Sequence, residues 1–447
     1  MEVNMADWRE YYNEHLTTMQ GAAKAVKPGD ILWLGAGPVI PYTLLDEMYA
    51  NMEDYHDVTL MYNVATTPFG MLFDTETKKH FRLISFFNLP LERMAGESGI
   101  MEYHSCGYDQ LCNGFFEYCG NTVAIHVCPP DEDGYCNAGV YGVGTASIIV
   151  PDPRVVKRIG IMDKGQVPVA GERSVMSLHV SQFDYIVEQD TEIAEIPAPR
   201  PTAVDKKIAS YILPYINKGD KIQIGFGGLG EEILANMRSL KDMEIFSEVA
   251  CDNMAQLCEE GVISKITATS PGACSKKFYD FLATDSRASF VTSGITVNLL
   301  EIMKQDNLVA INATFMVDLL GQACSEAQGL KPYSGVGGSF VYIYGAMLAK
   351  GGRSFLCLRS TYSDKEGSLH TNVVPWLPEG SIVTTPKNYQ MYIVSEFGLA
   401  DVYLKTMKDR IKALIKIAHT DFREELKEKI CTTSLIGEDD FEGFDLF

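Results

Sequence analysis

Short apolar runs, each set between longer amphipathic stretches, recur along the chain, and two of them look alike. Lys27-Pro28-Gly29-Asp30 leads into Ile31 to Leu34, and Lys218-Gly219-Asp220 leads into Lys221 to Ile224. The first run closes on Gly35-Ala36-Gly37-Pro38 and the second on Gly225-Phe226-Gly227. A Gly-Asp pair ends a helix, and an apolar alternation of this length is a buried strand. The spacing therefore predicts helices over Ala22 to Val26 and Lys206 to Ile216, each followed by a strand and a glycine turn into another helix. After the second turn that helix is predicted over Glu231 to Leu240, with a further strand over Met243 to Phe246.

Other strands are predicted at Val58 to Tyr62, Thr122 to Val127, Ser147 to Val150 and Tyr185 to Glu188. Later in the chain they fall at Ser289 to Thr292, Leu308 to Ile311, Ser354 to Leu358, Ser381 to Thr384 and Met391 to Ser395. Helices at Leu299 to Lys304 and Met407 to Ile417 intervene. Strands alternating with helices give an α/β fold with mainly parallel sheets covered on both faces. The repeat implies two tandem open α/β domains of related topology, 1–200 and 201–447, joined at the proline-rich Ile196-Pro197-Ala198-Pro199-Arg200-Pro201.

Composition narrows the partners. At 447 residues, with 46% hydrophobic and 22% charged residues, the chain has the make-up of a globular protein of two or more domains. A net charge of −21 argues against nucleic-acid binding, because phosphate backbones are held by Lys and Arg. Nothing in Met1 to Glu14 reads as a signal peptide, and no apolar run is long enough to span a bilayer, so neither a membrane partner nor export is expected. The eleven cysteines contain no CxxC pair. Cys106, Cys112, Cys119, Cys128 and Cys136 gather loosely around His104 and His126, but without zinc-ligand spacing, so no metal is expected and reduced thiols in the cytoplasm are the better reading.

The chemistry concentrates after the second run. Gly225-Phe226-Gly227-Gly228-Leu229-Gly230 leaves a strand and opens a helix, which lets backbone N–H groups approach a phosphate or an oxyanion. The next strand delivers Glu248 at its carboxyl end, where open α/β sheets bind ligands. Two proteins fit. GxGxxG with an acid about twenty residues later is the dinucleotide fingerprint. A carboxylate beside an anion-binding turn also suits a covalent nucleophile.

Longer matches favour the second. The segments Ser177-Leu178-His179-Val180-Ser181, Asp184 to Glu188, the glycine turn and Ile245-Phe246-Ser247-Glu248-Val249 resemble the acetyl-CoA hydrolase/transferase family. So do Val317-Asp318-Leu319-Leu320-Gly321-Gln322, Tyr333-Ser334-Gly335-Val336-Gly337-Gly338, Val394 to Asp401 and Ile417 to Arg423. These class I CoA-transferases include 4-hydroxybutyrate and butyrate–acetate enzymes. The resemblance implies a glutamyl-CoA thioester on Glu248, with Asn298 as an auxiliary catalytic residue. It implies that Gly225, Phe226, Gly227, Gly228, Leu229, Phe315, Gly338 and Lys365 bind CoA, which acts as a substrate with no tightly bound cofactor. Acyl-CoA and a small carboxylate are the implied partners of a cytoplasmic homo-oligomer, a dimer or tetramer, in short-chain fatty acid metabolism.

The chain departs from the family pattern after the GVGG turn, where Ser339, Tyr342 and Tyr344 replace polar and charged residues. That places Ser339, Tyr342 and Tyr344 as an apolar acyl pocket suited to small acyl groups. Each residue also has a plainer role: Glu248 as a surface carboxylate, Asn298 as a helix N-cap, the two tyrosines as core aromatics. His179 and His419 are expected to be structural, since a carboxylate nucleophile needs no base near neutral pH. An acyl-CoA thioesterase or a non-catalytic acyl-CoA binder of the same fold, and an NAD-dependent dehydrogenase, remain as alternatives.

Overall fold

A computed structural model describes residues 8–225, 227–272 and 274–446. The chain forms two compact units. The first gathers residues up to Pro197 with Glu248–Asp252 and Ile266–Thr296; the second holds Ala198–Ser247, Asn253–Lys265 and the chain from Val297 on.

The first unit is built on a seven-stranded sheet. Its strands are β1 (Ile31–Ala36), β2 (Val58–Asn63), β3 (Phe81–Ser85), β4 (Met101–Tyr103), β5 (Thr122–Val127), β6 (Lys157–Asp163) and β7 (Tyr185–Gln189). They lie in the order β4-β3-β2-β1-β5-β6-β7, and every neighbouring pair is parallel. All six residues of β2 and of β5 are buried, as expected for strands covered on both faces. The period of two sorts them into two cores. Leu32, Leu34, Leu60, Tyr62, Leu83 and Ile159 face one core; Trp33, Met61, Ile84, Val123, Ile125 and Met162 face the other.

The second sheet has eight strands: β8 (Lys221–Ile224), β9 (Met243–Phe246), β10 (Ile263–Ala268), β11 (Ala288–Phe290), β12 (Leu308–Ala313), β13 (Arg353–Cys357), β14 (Tyr392–Ser395) and β15 (Gly398–Asp401). Their order is β11-β10-β9-β8-β12-β13-β14-β15. Apart from the antiparallel edge strand β15, this repeats the first sheet strand for strand. In each sheet the first strand of the series is central, and the chain direction across the sheet reverses beside it, between β1 and β5 and between β8 and β12. Such reversals are where open sheets bind ligands at their carboxyl ends.

The repeated Gly-Asp pairs do the same local work. Gly29 and Gly219 sit at φ 83° and 82°, the left-handed region that favours glycine. Asp30 accepts the Lys27 N–H at 2.7 Å and Asp220 accepts the Asn217 N–H at 2.7 Å. Each carboxylate also meets a cation at the start of the equivalent outer strand, Lys157 on β6 and Arg353 on β13.

Two predicted strands are absent. Ser147 to Val150 lies instead in a helix, Ala146–Ile149, because a four-residue apolar run carries no period able to tell helix from strand. Ser381 to Thr384 stays irregular after the Gly380 turn, with only an isolated bridge from Thr385 to Ala323. The segment after the GVGG turn, left unassigned by its pattern, is a helix, Ser339–Leu348, apolar on most of its surface. No helix among the described residues is long and apolar enough to cross a membrane.

Candidate active site

Glu248 stands two residues beyond β9. The residue before it, Ser247, is fully buried, and its Oγ donates to the Ile224 carbonyl at the end of β8 at 3.2 Å. The backbone of Glu248 is then captured in the first unit: its carbonyl accepts the Thr269 and Ser270 N–H groups at 3.0 and 3.1 Å. Val249 and Ala250 pair in parallel with Ser270 and Pro271, and Gly272 N–H closes on the Ala250 carbonyl at 2.7 Å. Main chain is thus fixed on both sides of the residue, while the side chain is left without a hydrogen-bond donor among the described residues.

Burial without a donor pushes the Glu248 carboxyl up to about 7. That corrects the expectation of a carboxylate fully ionised at neutral pH. A carboxyl poised near neutrality is less solvated and more basic than an ordinary glutamate, which favours attack on a carbonyl carbon.

Around this segment the first unit packs tightly. Thr269 is fully buried and its hydroxyl bonds that of Thr296. A Cβ on Gly144 would stand 2.7 Å from Thr269 Cγ2 and 3.5 Å from the Tyr108 hydroxyl, so only glycine fits between them. Gly144 in turn accepts the Ser293 N–H at 3.0 Å. Burial first, and the Glu248 charge second, raise the Tyr108 phenol well above its usual range. Tyr108 and Thr269 escaped the sequence reading because no spacing relates them to Glu248; the Gly142-Val143-Gly144 pattern was the available hint of a close approach.

The second unit carries the glycine turn. Gly225 N–H bonds the Ile311 carbonyl at 3.0 Å, Gly227 is the N-cap of Gly228–Ala235 at φ 146°, and Phe226 lies outside the described residues. A Cβ on Gly227 would meet no described atom within 4 Å, whereas one on Gly230 would stand 2.4 Å from Ile224 Cγ2. The turn is therefore open at Gly227 and closed by strand packing at Gly230. Leu229 is partly buried on the first turn of the helix, and a Cβ on Gly228 would lie 3.1 Å from Asp205 Oδ2. Beneath the turn, Gln223 and Asn312 form a buried reciprocal amide pair at 3.2 and 2.8 Å, bridging β8 and β12 at the reversal.

Asn298 is an N-cap: its Oδ1 accepts the Leu300 N–H at 2.9 Å at the head of Leu299–Ile302. That occupies the oxygen and leaves the amide NH₂ available. Phe315 packs edge-on against Tyr333 at 4.8 Å. Gly338, buried, is the N-cap of Ser339–Leu348, and Ser339 Oγ is buried without a partner among the described residues. Lys365 is exposed in the turn of the hairpin Thr361–Ser363/Leu369–Thr371.

The structure does not bring Tyr342 and Tyr344 together. Two helical positions apart, they point about 200° from each other. Tyr342 is fully buried in the core, while Tyr344 joins Phe340 and Tyr389 at 6.2 and 4.8 Å. A shared pocket wall of the two rings, as read from the departure from the family pattern, is replaced by two separate packing sites. His179 and His419 serve locally: His179 Nδ1 pairs with Ser181 Oγ at 2.8 Å, and His419 Nδ1 accepts the Asp421 N–H at 3.3 Å. All eleven cysteines are free thiols, and among the described residues no cluster of His, Cys, Asp or Glu is arranged to hold a metal ion.

Known proteins resemble this chain over nearly its whole length. Residues 274–430 match the acetyl-CoA hydrolase/transferase C-terminal domain. A 4-hydroxybutyrate coenzyme A transferase of Clostridium kluyveri is 32% identical over 430 residues, 94% of this chain and 98% of that protein. The chain belongs to the acetyl-CoA hydrolase/transferase family. A butyryl-CoA:acetate CoA-transferase of Anaerostipes caccae is 30% identical over 436 residues, 94% of this chain and 96% of its own. RipA from Yersinia pestis superposes with a TM-score of 0.85 at 26% identity, covering 96% of this chain and all of the other. Within the acetyl-CoA hydrolase/transferase family the chain is an enzyme of the CoA-transferase class.

Proposed function

We propose that this enzyme moves CoA between a short-chain acyl-CoA and a small carboxylate, with Glu248 as the covalent carrier. The observation that carries the reading is the Glu248 carboxyl itself, partly buried, without a donor among the described residues and poised near neutrality at a strand's carboxyl end. A Glu248 carboxylate oxygen attacks the thioester carbonyl, the C–S bond breaks, and CoA thiolate leaves a mixed anhydride. The thiolate then attacks the glutamyl carbonyl, forming glutamyl-CoA and releasing the first carboxylate. An incoming carboxylate runs the sequence in reverse. The thioester's free energy is kept in a covalent bond throughout, so no nucleotide is spent.

CoA recognition is assigned to the glycine turn (Gly225, Phe226, Gly227, Gly228, Leu229) with Phe315, Gly338 and Lys365, and the free amide of Asn298 donates to the thioester. Short acyl groups are favoured by the butyryl-CoA:acetate and 4-hydroxybutyrate relatives. The reading carries with it a cytoplasmic homo-oligomer without a tightly bound cofactor. The test is CoA release from butyryl-CoA with and without acetate, beside succinyl-CoA. Acetate should accelerate release from butyryl-CoA. Release indifferent to acetate would make the enzyme a hydrolase, and a preference for succinyl-CoA would overturn the acyl-group assignment.

A further inference from the structure

We infer that the Tyr108 hydroxyl is a further catalytic group, donating a hydrogen bond to the thioester carbonyl oxygen as Glu248 attacks it. This rests on the assignment of Glu248 as nucleophile. Tyr108 opens a short 3₁₀ turn, Tyr108–Gln110, behind Gly107. Its hydroxyl and Thr269 crowd the same side of Gly144, at 3.5 and 2.7 Å from the Cβ position there. Thr269 and Ser270 are the residues whose N–H groups hold the Glu248 carbonyl. The phenol is thereby brought to the short segment that carries the nucleophile, and the Glu248 charge is felt at its oxygen.

The surroundings make that placement firm. Gln110 N–H closes the turn on Gly107 O at 3.0 Å. Ser293 N–H reaches Gly144 O, and Thr296 holds Thr269. A tyrosine kept for packing normally satisfies its hydroxyl. This one, partly buried, makes no hydrogen bond among the described residues, and neither does the Glu248 carboxylate. The phenol stays protonated wherever Glu248 is ionised, so it is a donor through the whole working range.

The step balances without proton transfer. The Glu248 oxygen–carbon bond forms, the carbonyl π pair moves to oxygen, and the O–H of Tyr108 bonds that oxyanion. As the pair returns, the C–S bond breaks and the hydroxyl keeps its hydrogen.

Tyr108→Phe tests this by single-turnover formation of glutamyl-CoA from butyryl-CoA. The expected result is a fall in rate of roughly a hundredfold, the usual loss of one oxyanion donor, with the KM for acyl-CoA and the melting temperature little changed. Formation at the wild-type rate, or a change confined to KM, would overturn the proposal. Should Tyr108→Phe not fold, 3,5-difluorotyrosine at position 108 keeps the ring and strengthens the donor. It must then alter the rate, and an unchanged rate overturns the proposal equally. Glu248→Ala runs beside it: full activity there would remove the nucleophile assignment, whereas an inactive Glu248→Ala with a wild-type Tyr108→Phe removes only the tyrosine's role.

Discussion

The two sheets are the same at their amino ends and different at their carboxyl ends. At the amino ends Gly29 and Gly219 share a backbone conformation, and Asp30 and Asp220 each bind an N–H three residues back and a cation on the equivalent strand. At the carboxyl ends the symmetry is gone. The Tyr141 ring lies 3.7 Å from the Cβ position on Gly37 and covers the first glycine turn, its hydroxyl tied to Cys274 and Tyr279 at 3.3 and 3.2 Å. The Cβ position on Gly227 meets no described atom within 4 Å.

The carboxylates of the two series differ in the same way. Just after β2, the Ala65 N–H donates to the buried Glu92 carboxylate, which sits on the helix Pro90–Glu97 after β3 and also accepts the Leu89 N–H. After β9, the Glu248 side chain accepts none among the described residues. Burial raises both groups; donors pull Glu92 back, and nothing among the described residues does so for Glu248. One carboxylate caps backbone donors, and the other is the group proposed to react. The two series keep the same local bonding at their amino ends and differ in it at their carboxyl ends.

Breaking this contrast at the carboxylates should have the largest effect. Glu248→Ala should lower transfer on the order of ten-thousandfold while leaving a folded protein, since a covalent carrier cannot be replaced in part. Glu92→Ala should do the reverse, lowering stability by about 2–4 kcal/mol through two orphaned backbone donors, with kcat of the folded fraction retained. Urea melts and steady-state rates on both variants decide it. Equal loss of activity in the two would end the distinction.

Next comes pH. With the Glu248 carboxyl at about 7, kcat/KM should rise about tenfold per unit below that value and level off above it. A flat profile from pH 5 to 8 would mean that Glu248 behaves as an ordinary glutamate.

The glycine turns separate by ligand affinity. Ala at Gly227 or Gly37 should cost about 1–3 kcal/mol in stability, because each sits at a backbone conformation reserved for glycine, φ 146° and 64°. Only Gly227→Ala should also weaken CoA, by roughly tenfold in calorimetry, about 1.4 kcal/mol. A matching loss in Gly37→Ala would assign CoA to the covered turn.

The smallest effect is on stability alone. Between pH 4.5, where the free carboxyl titrates, and about 7, the folded state holds a proton that the unfolded chain has released. Stability from this group is therefore intact below 4.5 and falls as pH rises through 7. Glu248→Gln removes the penalty, so it should melt above wild type at pH 8, by at most about 3 kcal/mol and less where water screens the group, but level with it at pH 4.

Much of this was legible in the chain. The Gly-Asp, strand and glycine-turn repeat predicted two matching series, and β5, β8 and β9 were read to the residue because each is a short, largely apolar run bounded by turn and helix signals. Ser147 to Val150 was misread because a short apolar run suits either state. Tyr342 and Tyr344 were read as one wall because the helix through them was not recognised, and in a helix alternate residues part company. Tyr108 could not be found, since its link to Glu248 exists only through Gly144 and Thr269 in three dimensions. The perturbed state of Glu248 was likewise invisible: it comes from burial of the carboxyl in three dimensions, with no donor on it among the described residues.

The central claim is that Glu248 carries CoA covalently. Incubation with butyryl-CoA, followed by peptide mass spectrometry, tests it directly. The peptide containing Glu248 should gain the mass of CoA as a thioester, lose it when acetate is added, and give the alcohol when borohydride is added instead. Steady transfer with no adduct on that peptide, or with the adduct on another residue, would contradict the account.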